Sequence, residues 1–302
     1  MEFSKIQSLL SVILFLSTIF VQHFVAVHSI EVNYGTLGNN LPPPAQVAQF
    51  FKDKTTIDRI KIFDVNPDIL RAFAGTRIFV TITVLNGEIS NLVNIKYARR
   101  WAGNNIKPFY PQTKINYIHV GNEVLHWGPQ NLIDNLVSAM RTLHRALIQY
   151  GIQGVNVTTT HSLGILESSQ SPSLAKFRPG WDKGDLAPIL QFLQETKSPF
   201  MVNPYPYFGY SPEQANFVLF KPNSGLHDKY TKQTYTNMFD LLIDAVHISM
   251  KKLGYGDVEI AVGETGWASA GETFEPKYVN NLTLSVDIMW QESKTTHDHI
   301  YS

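Results

Sequence analysis

Short runs rich in Ile and Val recur along nearly the whole chain, each followed by a longer amphipathic or polar stretch, and this alternation constrains the fold most strongly. Strands are expected at residues 30–33, 59–63, 78–83, 115–120, 155–159, 200–203 and 259–262. Brief β-branched runs of this kind suit a parallel sheet whose strands are buried on both faces. Between the fourth and fifth runs, Leu132, Ile133, Leu136, Val137, Met140, Leu143, Leu147 and Ile148 follow the helical period. They predict a helix over 131–150, with Pro129 by its start and Gly151 past its end. A second long helix is expected over 237–253, and shorter ones over 43–52, 67–73 and 95–103.

Strand–helix alternation specifies an α/β fold, either an open doubly wound sheet or a closed (β/α)8 TIM barrel. No Gly-x-Gly-x-x-Gly turn follows the first strand, as a dinucleotide-binding sheet would require. Conspicuous polar residues instead stand just after several different strands, the arrangement at the C-terminal mouth of a barrel. The expectation is therefore a (β/α)8 barrel. Only seven strands can be counted, and no eighth strand and helix are legible in the polar, irregular tail 287–302. The domain is accordingly expected at 30–286, with its eighth unit lacking and two sheet edges unpaired. The stretch 168–184 reads as a long loop that walls a substrate cleft.

Lys5 precedes an apolar run from Leu9 to Phe20, and Val27 and Ser29 place small residues before Ile30. Residues 1–29 therefore read as a secretory signal peptide, giving a secreted protein of the extracellular space or cell wall. An uncleaved membrane anchor is the alternative, but Gln22 and His23 interrupt the run before it reaches the ~20 residues of a span. No later segment is long and apolar enough to cross a bilayer. The 25 basic and 25 acidic residues balance, which argues against a nucleic-acid partner. The absence of cysteine rules out thiol catalysis and thiolate metal sites. No cofactor and no metal are expected. The pair His297 and His299 lies in the tail without a third ligand in view. Neither a Gly-x-Ser-x-Gly elbow nor a P-loop is present.

Two segments carry the chemistry. His119-Val120-Gly121-Asn122-Glu123-Val124 closes the fourth strand, and Ala261-Val262-Gly263-Glu264-Thr265-Gly266-Trp267 closes the seventh. Each sets one carboxylate at the mouth of a strand. Two carboxyl groups ~5–5.5 Å apart, one as acid/base and one as nucleophile, are what retaining glycosidic hydrolysis needs. Glutamates so far apart in sequence meet only where the sheet curls on itself. Taken singly, the Asn-Glu pair also fits a strand-end turn, and the second segment a tight turn with a packed tryptophan.

Together the two segments resemble the acid and nucleophile motifs of retaining (β/α)8 glycosidases. Val32-Asn33-Tyr34-Gly35 and Val202-Asn203-Pro204-Tyr205-Pro206-Tyr207-Phe208 narrow the likeness to glycoside hydrolase family 17, the plant-type endo-1,3-β-glucanases, over about residues 30–286. The resemblance implies Glu123 as proton donor and Glu264 as nucleophile on a β-glucan, in a monomer. It implies that Tyr34, Asn122, Asn203 and Tyr205 line the subsite around the cut bond, with Phe208 and Trp267 binding substrate. Trp127 and Tyr207 extend the cleft on the same reading, and packing within a loop or core is the alternative for each of these aromatics. His119 is expected to pack in its strand, and His126 and His161 to be loop residues without partners. Asn156 and Asn281 match the glycosylation sequon, and Asn156 is expected to be buried in a strand.

The family usually writes proline where this chain has Ala268, and it continues into an eighth strand with a supporting carboxylate. These departures keep two readings open. One is a retaining endo-β-1,3-glucanase; the other is a non-catalytic glucan-binding or inert truncated family member.

Overall fold

The structure, a computed structural model, describes residues 31–167 and 171–267. Its strands are β1 (Glu31–Asn33), β2 (Arg59–Lys61), β3 (Phe79–Val84), β4 (Lys114–Asn122), β5 (Asn156–Ser162), β6 (Phe200–Asn203), β7 (Leu226–His227), β8 (Thr234–Tyr235) and β9 (Ile260–Val262). Seven of them form one sheet in the order β1-β2-β3-β4-β5-β6-β9, and every neighbouring pair is parallel. β7 and β8 form a separate antiparallel ribbon. The expected strands are all present, and β4 and β5 run on past their expected ends.

Side chains alternate along these strands, and the two faces of the sheet differ in chemistry. Ile60, Val80, Ile82, Ile118, Val120, Val157 and Val202 join one apolar cluster with the surrounding helices. The opposite parity carries Lys61, Thr81, Thr83, His119, Thr158, Thr160 and Asn203, all buried. Register puts these on one face, since Lys61 pairs with Thr81, Thr83 with His119, and His119 with Thr158. The strands are buried on both faces, as expected, but the inner face is polar. Lys61 on β2 reaches Glu264, just past β9, at 2.6 Å, although β3 to β6 lie between them in the sheet. Only a sheet curled towards a barrel brings those strand ends together.

The longest helix among the described residues, Gln130–Gln149, buries Leu132, Ile133, Leu136, Met140, Leu143 and Leu147 on the face predicted from their spacing. Each such side chain contributes about 1.5–3 kcal/mol by leaving water. Pro44–Lys54, Pro67–Ala72, Ile95–Asn105 and Met238–Lys252 match the other expected helices. A further helix, Ala187–Thr196, buries Ile189, Leu190, Phe192 and Leu193 in a segment for which the sequence predicts none. Pro188 there reads as a breaker, yet it follows directly on the π-helical turn Asp182–Leu186, where the regular hydrogen-bond ladder is already interrupted.

The described part of the 168–184 stretch is tied down by hydrogen bonds to two later segments. Ser173 donates from its backbone N–H and its hydroxyl to the buried Asp228 carboxylate, at 2.9 and 2.7 Å. Lys252 donates to the carbonyls of Ser173 and Ala175. These bonds tie the segment to the β7–β8 ribbon and the helix Met238–Lys252. The expected signal peptide, Asn281, the tail histidines and the place of any eighth strand all lie outside the described residues. Among the described residues no helix is long and apolar enough to cross a membrane.

Candidate active site

Glu123 is delivered by a strained turn at the end of β4. Gly121 has φ +74°, and a Cβ there would stand 2.5 Å from Val124 Cγ2 and 2.9 Å from Asn86 Oδ1. Glu123 itself has φ 51°, a left-handed conformation that costs a non-glycine residue of the order of 1–3 kcal/mol. Its backbone N–H donates to Thr160 O at 3.0 Å, and its carbonyl accepts from Trp127 N at 3.0 Å. Both bonds hold the turn. The carboxylate accepts from Asn203 Nδ2 at 2.8 Å and from Trp127 Nε1 at 2.9 Å. Both donors are neutral.

Glu264 arrives from β9 through Gly263, whose N–H donates to Val202 O at 2.8 Å. A Cβ on Gly263 would come within 2.7 Å of Thr160 Cγ2 and 2.9 Å of Asn203 Oδ1, so only glycine lets β9 lie this close. Glu264 Oε1 meets Lys61 Nζ at 2.6 Å, and Oε2 accepts from the Tyr205 hydroxyl at 3.0 Å. Its side chain is 12% exposed, while that of Lys61 is 0% exposed. Burial pulls the Lys61 pKa below the ordinary lysine value, and the Glu264 carboxylate pulls against that shift, with smaller help from Glu31 and Glu123.

Asn122 is fixed between the two glutamates. Its Oδ1 accepts from Thr160 Oγ1 at 2.6 Å and from Lys61 Nζ at 3.4 Å. Its backbone exchanges two hydrogen bonds with the Asn86 side chain, at 2.8 and 3.1 Å. Asn203 donates to Glu123 and lies against Gly263, so the two glutamate-bearing turns share one support. The strand-end residues expected to act together do converge.

The aromatic residues divide. Tyr34 stands one strand from Lys61, its N–H donating to Lys61 O at 2.8 Å, and burial raises its phenol pKa. Tyr205 contacts Glu264 through its hydroxyl, and its ring meets Phe208 at 5.7 Å. Phe208 and Trp127 are 80% and 73% exposed and form an open rim. Trp267 is only 7% exposed and packs edge-on against Tyr207 and Tyr210 in a small satellite cluster.

His119 packs in its strand as expected. His161 does not lie in a loop: it sits on β5, buried, stacked 4.9 Å from Phe200. His126 belongs to the short helix Val124–Trp127, its ring against that of Trp127. β5 outruns its expected end because Thr160 and His161 find partners on β6. Asn156 is half-buried at the start of β5. Lys61, Asn86 and Thr160 join the site although no sequence motif marks them. The one signal in the chain is a lysine within the otherwise buried run Ile60-Lys61-Ile62.

The profile of the glycosyl hydrolases family 17 matches residues 30–294. The chain belongs to that family. Among family 17 relatives, a glucan endo-1,3-beta-glucosidase of Triticum aestivum is 49% identical over 248 residues, 80% of this chain and 54% of the wheat protein. Glucan endo-1,3-beta-glucosidase 7 of Arabidopsis thaliana is 41% identical, over 92% of this chain and 55% of its own length. The chain thus spans about half the length of these two relatives. CJP38, a beta-1,3-glucanase and allergen of Cryptomeria japonica pollen, superposes with TM-score 0.77 at 39% identity, covering 85% of this chain and 82% of that one. A plant beta-glucan endohydrolase superposes with TM-score 0.76 at 33% identity, covering 86% and 82%. The seven parallel strands thus follow the family's (β/α)8 barrel.

Proposed function

We propose that this site hydrolyses β-1,3-glucan with retention, with Glu123 as acid/base and Glu264 as nucleophile. The observation that carries the proposal is the unlike support of the two carboxylates. Glu264 sits in an ion pair with Lys61 and is aimed by Tyr205, which suits a group that must attack the anomeric carbon with an oxygen lone pair. Glu123 is held by the neutral amide of Asn203 and indole of Trp127, which suits a group that must hold a proton in one half-reaction and take it back in the other.

The first half-reaction moves the Glu123 proton to the glycosidic oxygen as Glu264 bonds to the anomeric carbon. The second uses Glu123 to take a proton from water, which displaces Glu264. Asn122 has its carbonyl oxygen engaged by Thr160 and Lys61, so its amide nitrogen is the group left to donate to the sugar 2-hydroxyl. Tyr34, Tyr205 and Asn203 line the subsite at the cut bond, and Phe208 and Trp127 present ring faces to neighbouring glucose units. Trp267 supports Tyr207 from behind. We assign the chain to the secretory route, ending in the extracellular space or cell wall, on the strength of its first 29 residues.

Substitution of the two carboxylates distinguishes this proposal from glucan binding without turnover. Glu264→Gln should abolish release of reducing ends from linear β-1,3-glucan while retaining binding of the glucan. Glu123→Gln should spare activated aryl glucosides, whose leaving group needs no proton, and lose the polysaccharide. Equal loss on both substrates for Glu123→Gln would show that the roles are reversed. Absence of turnover in the unsubstituted chain would favour the binding-only reading.

A further inference from the structure

We propose that the outer face of the helix Ile95–Asn105 binds a polyuronate, an acidic polysaccharide carrying one carboxylate per sugar. Lys96, Arg99, Arg100 and Lys107 stand exposed around a groove of about 500 Å³ whose lining includes Gly103, Asn104 and Tyr150. Residues three, four and seven apart share one side of a helix. Lys96, Arg99 and Arg100 therefore follow one stripe, and Lys107, just past the end of the helix, lines the same groove. Among the described residues, no Asp or Glu forms an ion pair with any of them. Glu88, which precedes this helix, is engaged by the Tyr97 hydroxyl at 3.1 Å and the Trp101 indole at 2.9 Å. In a chain of zero net charge, so concentrated a stripe is unbalanced, and its mutual repulsion is relieved when a polyanion lies along it.

The groove also has a floor suited to a sugar ring. A Cβ on Gly103 would meet the Tyr150 hydroxyl at 2.7 Å, so this glycine is the notch into which the tyrosine fits. Lys107 Nζ lies over the same ring, 5.2 Å from its centre. A tyrosine ring with ammonium and guanidinium groups around it offers apolar surface and carboxylate partners together, as a pyranose that carries a carboxylate requires. Tyr150 ends the helix that precedes β5, so this floor lies near the N-terminal ends of the strands. Glu123 and Glu264 stand at the opposite ends. A chain bound along the stripe would leave the carboxylate pair open to its own substrate.

The test is affinity electrophoresis of the full chain through gels containing polygalacturonate, fully methyl-esterified polygalacturonate, or a short DNA duplex. Flotation with phosphatidylserine vesicles completes the set. The expected result is retardation by polygalacturonate alone, lost at high salt. The quadruple variant Lys96→Gln/Arg99→Gln/Arg100→Gln/Lys107→Gln should lose at least about 10-fold in apparent affinity. A control with the same charge change elsewhere, Lys52→Gln/Lys54→Gln/Lys183→Gln/Lys251→Gln, should keep it. Equal losses in both variants would overturn the proposal in favour of net charge alone. Stronger binding to duplex or vesicles than to polygalacturonate would overturn it in favour of that partner. Retardation by the esterified polymer would overturn the role of charge.

Discussion

Lys61 and Glu264 meet at 2.6 Å across the mouth of the sheet, with the lysine wholly buried and the glutamate nearly so. A buried ion pair is expensive to assemble and stabilises little relative to a hydrophobic pair of the same shape. Its value here lies in position, because one ammonium touches both Glu264 and the side chain of Asn122.

Replacing Lys61 by Met should therefore lower kcat on β-1,3-glucan by about 10²–10³-fold while changing oligosaccharide Kd far less. Lys61→Arg should recover part of the loss. Leaving Glu264 unpaired should also cost about 3–5 kcal/mol of stability. Rates should be compared at a temperature where circular dichroism shows each variant folded. An unchanged kcat in the Met variant would remove Lys61 from the machinery.

Gly263→Ala drives a methyl group into Thr160 and Asn203. A shift of about 1 Å at Glu264 should lower kcat by about 100-fold. Adding Thr160→Ser deletes the clashing methyl but keeps the hydroxyl that holds Asn122, so the double variant should regain part of the rate. Steady-state kinetics of the single and double variants decide the point, and no recovery would place the damage elsewhere.

Acid should destabilise the fold through two buried histidines. Burial holds the His161 imidazole at about 3, below its ordinary value, and also lowers His119 well below it, with Lys61 contributing there. Above pH about 6.5 neither the folded nor the unfolded chain protonates His161, so its full stabilisation is present there. As the pH falls towards 3, the unfolded chain takes up the proton first and stability is lost, by about 1.4 kcal/mol per pH unit for each such group. His161→Phe should keep the stacking on Phe200 and remove one proton from this dependence. Urea unfolding at pH 7, 6, 5 and 4 should then show a shallower fall than in the unsubstituted chain.

Asp228 ties the segment after β5 to the β7–β8 ribbon. Burial pushes its carboxyl up, but hydrogen bonds from Ser173, Tyr230 and Thr231 outweigh that and hold it at about 2. Asp228→Ala should cost about 2–4 kcal/mol, the loss of several bonds to one buried charge. A thermal midpoint unchanged within error would show that the tie carries no stability.

Much of the architecture is legible in the order of the residues alone. The Ile and Val runs locate every strand of the sheet, because a strand covered by helices must be apolar on at least one face. The 3.6-residue period locates the helix Gln130–Gln149, because its core-facing stripe must repeat with the backbone. Pro188 conceals Ala187–Thr196, since a proline breaks a regular helix interior but is tolerated just after the π-helical turn Asp182–Leu186. The extra length of β5 is also hidden, since Thr160 and His161 read as polar until their neighbours on β6 are known.

The two glutamates, their strand ends and their family are written in the chain itself, because each motif is local and its residues are contiguous. What each glutamate touches depends on tertiary packing. Lys61 reaches Glu264 because the curled sheet brings the ends of β2 and β9 together, and nothing in the local sequence of either strand specifies that closure. The fate of the aromatics is set the same way: Trp267 is buried and Phe208 exposed because of what packs around them, and burial depends on neighbours brought in from distant parts of the chain.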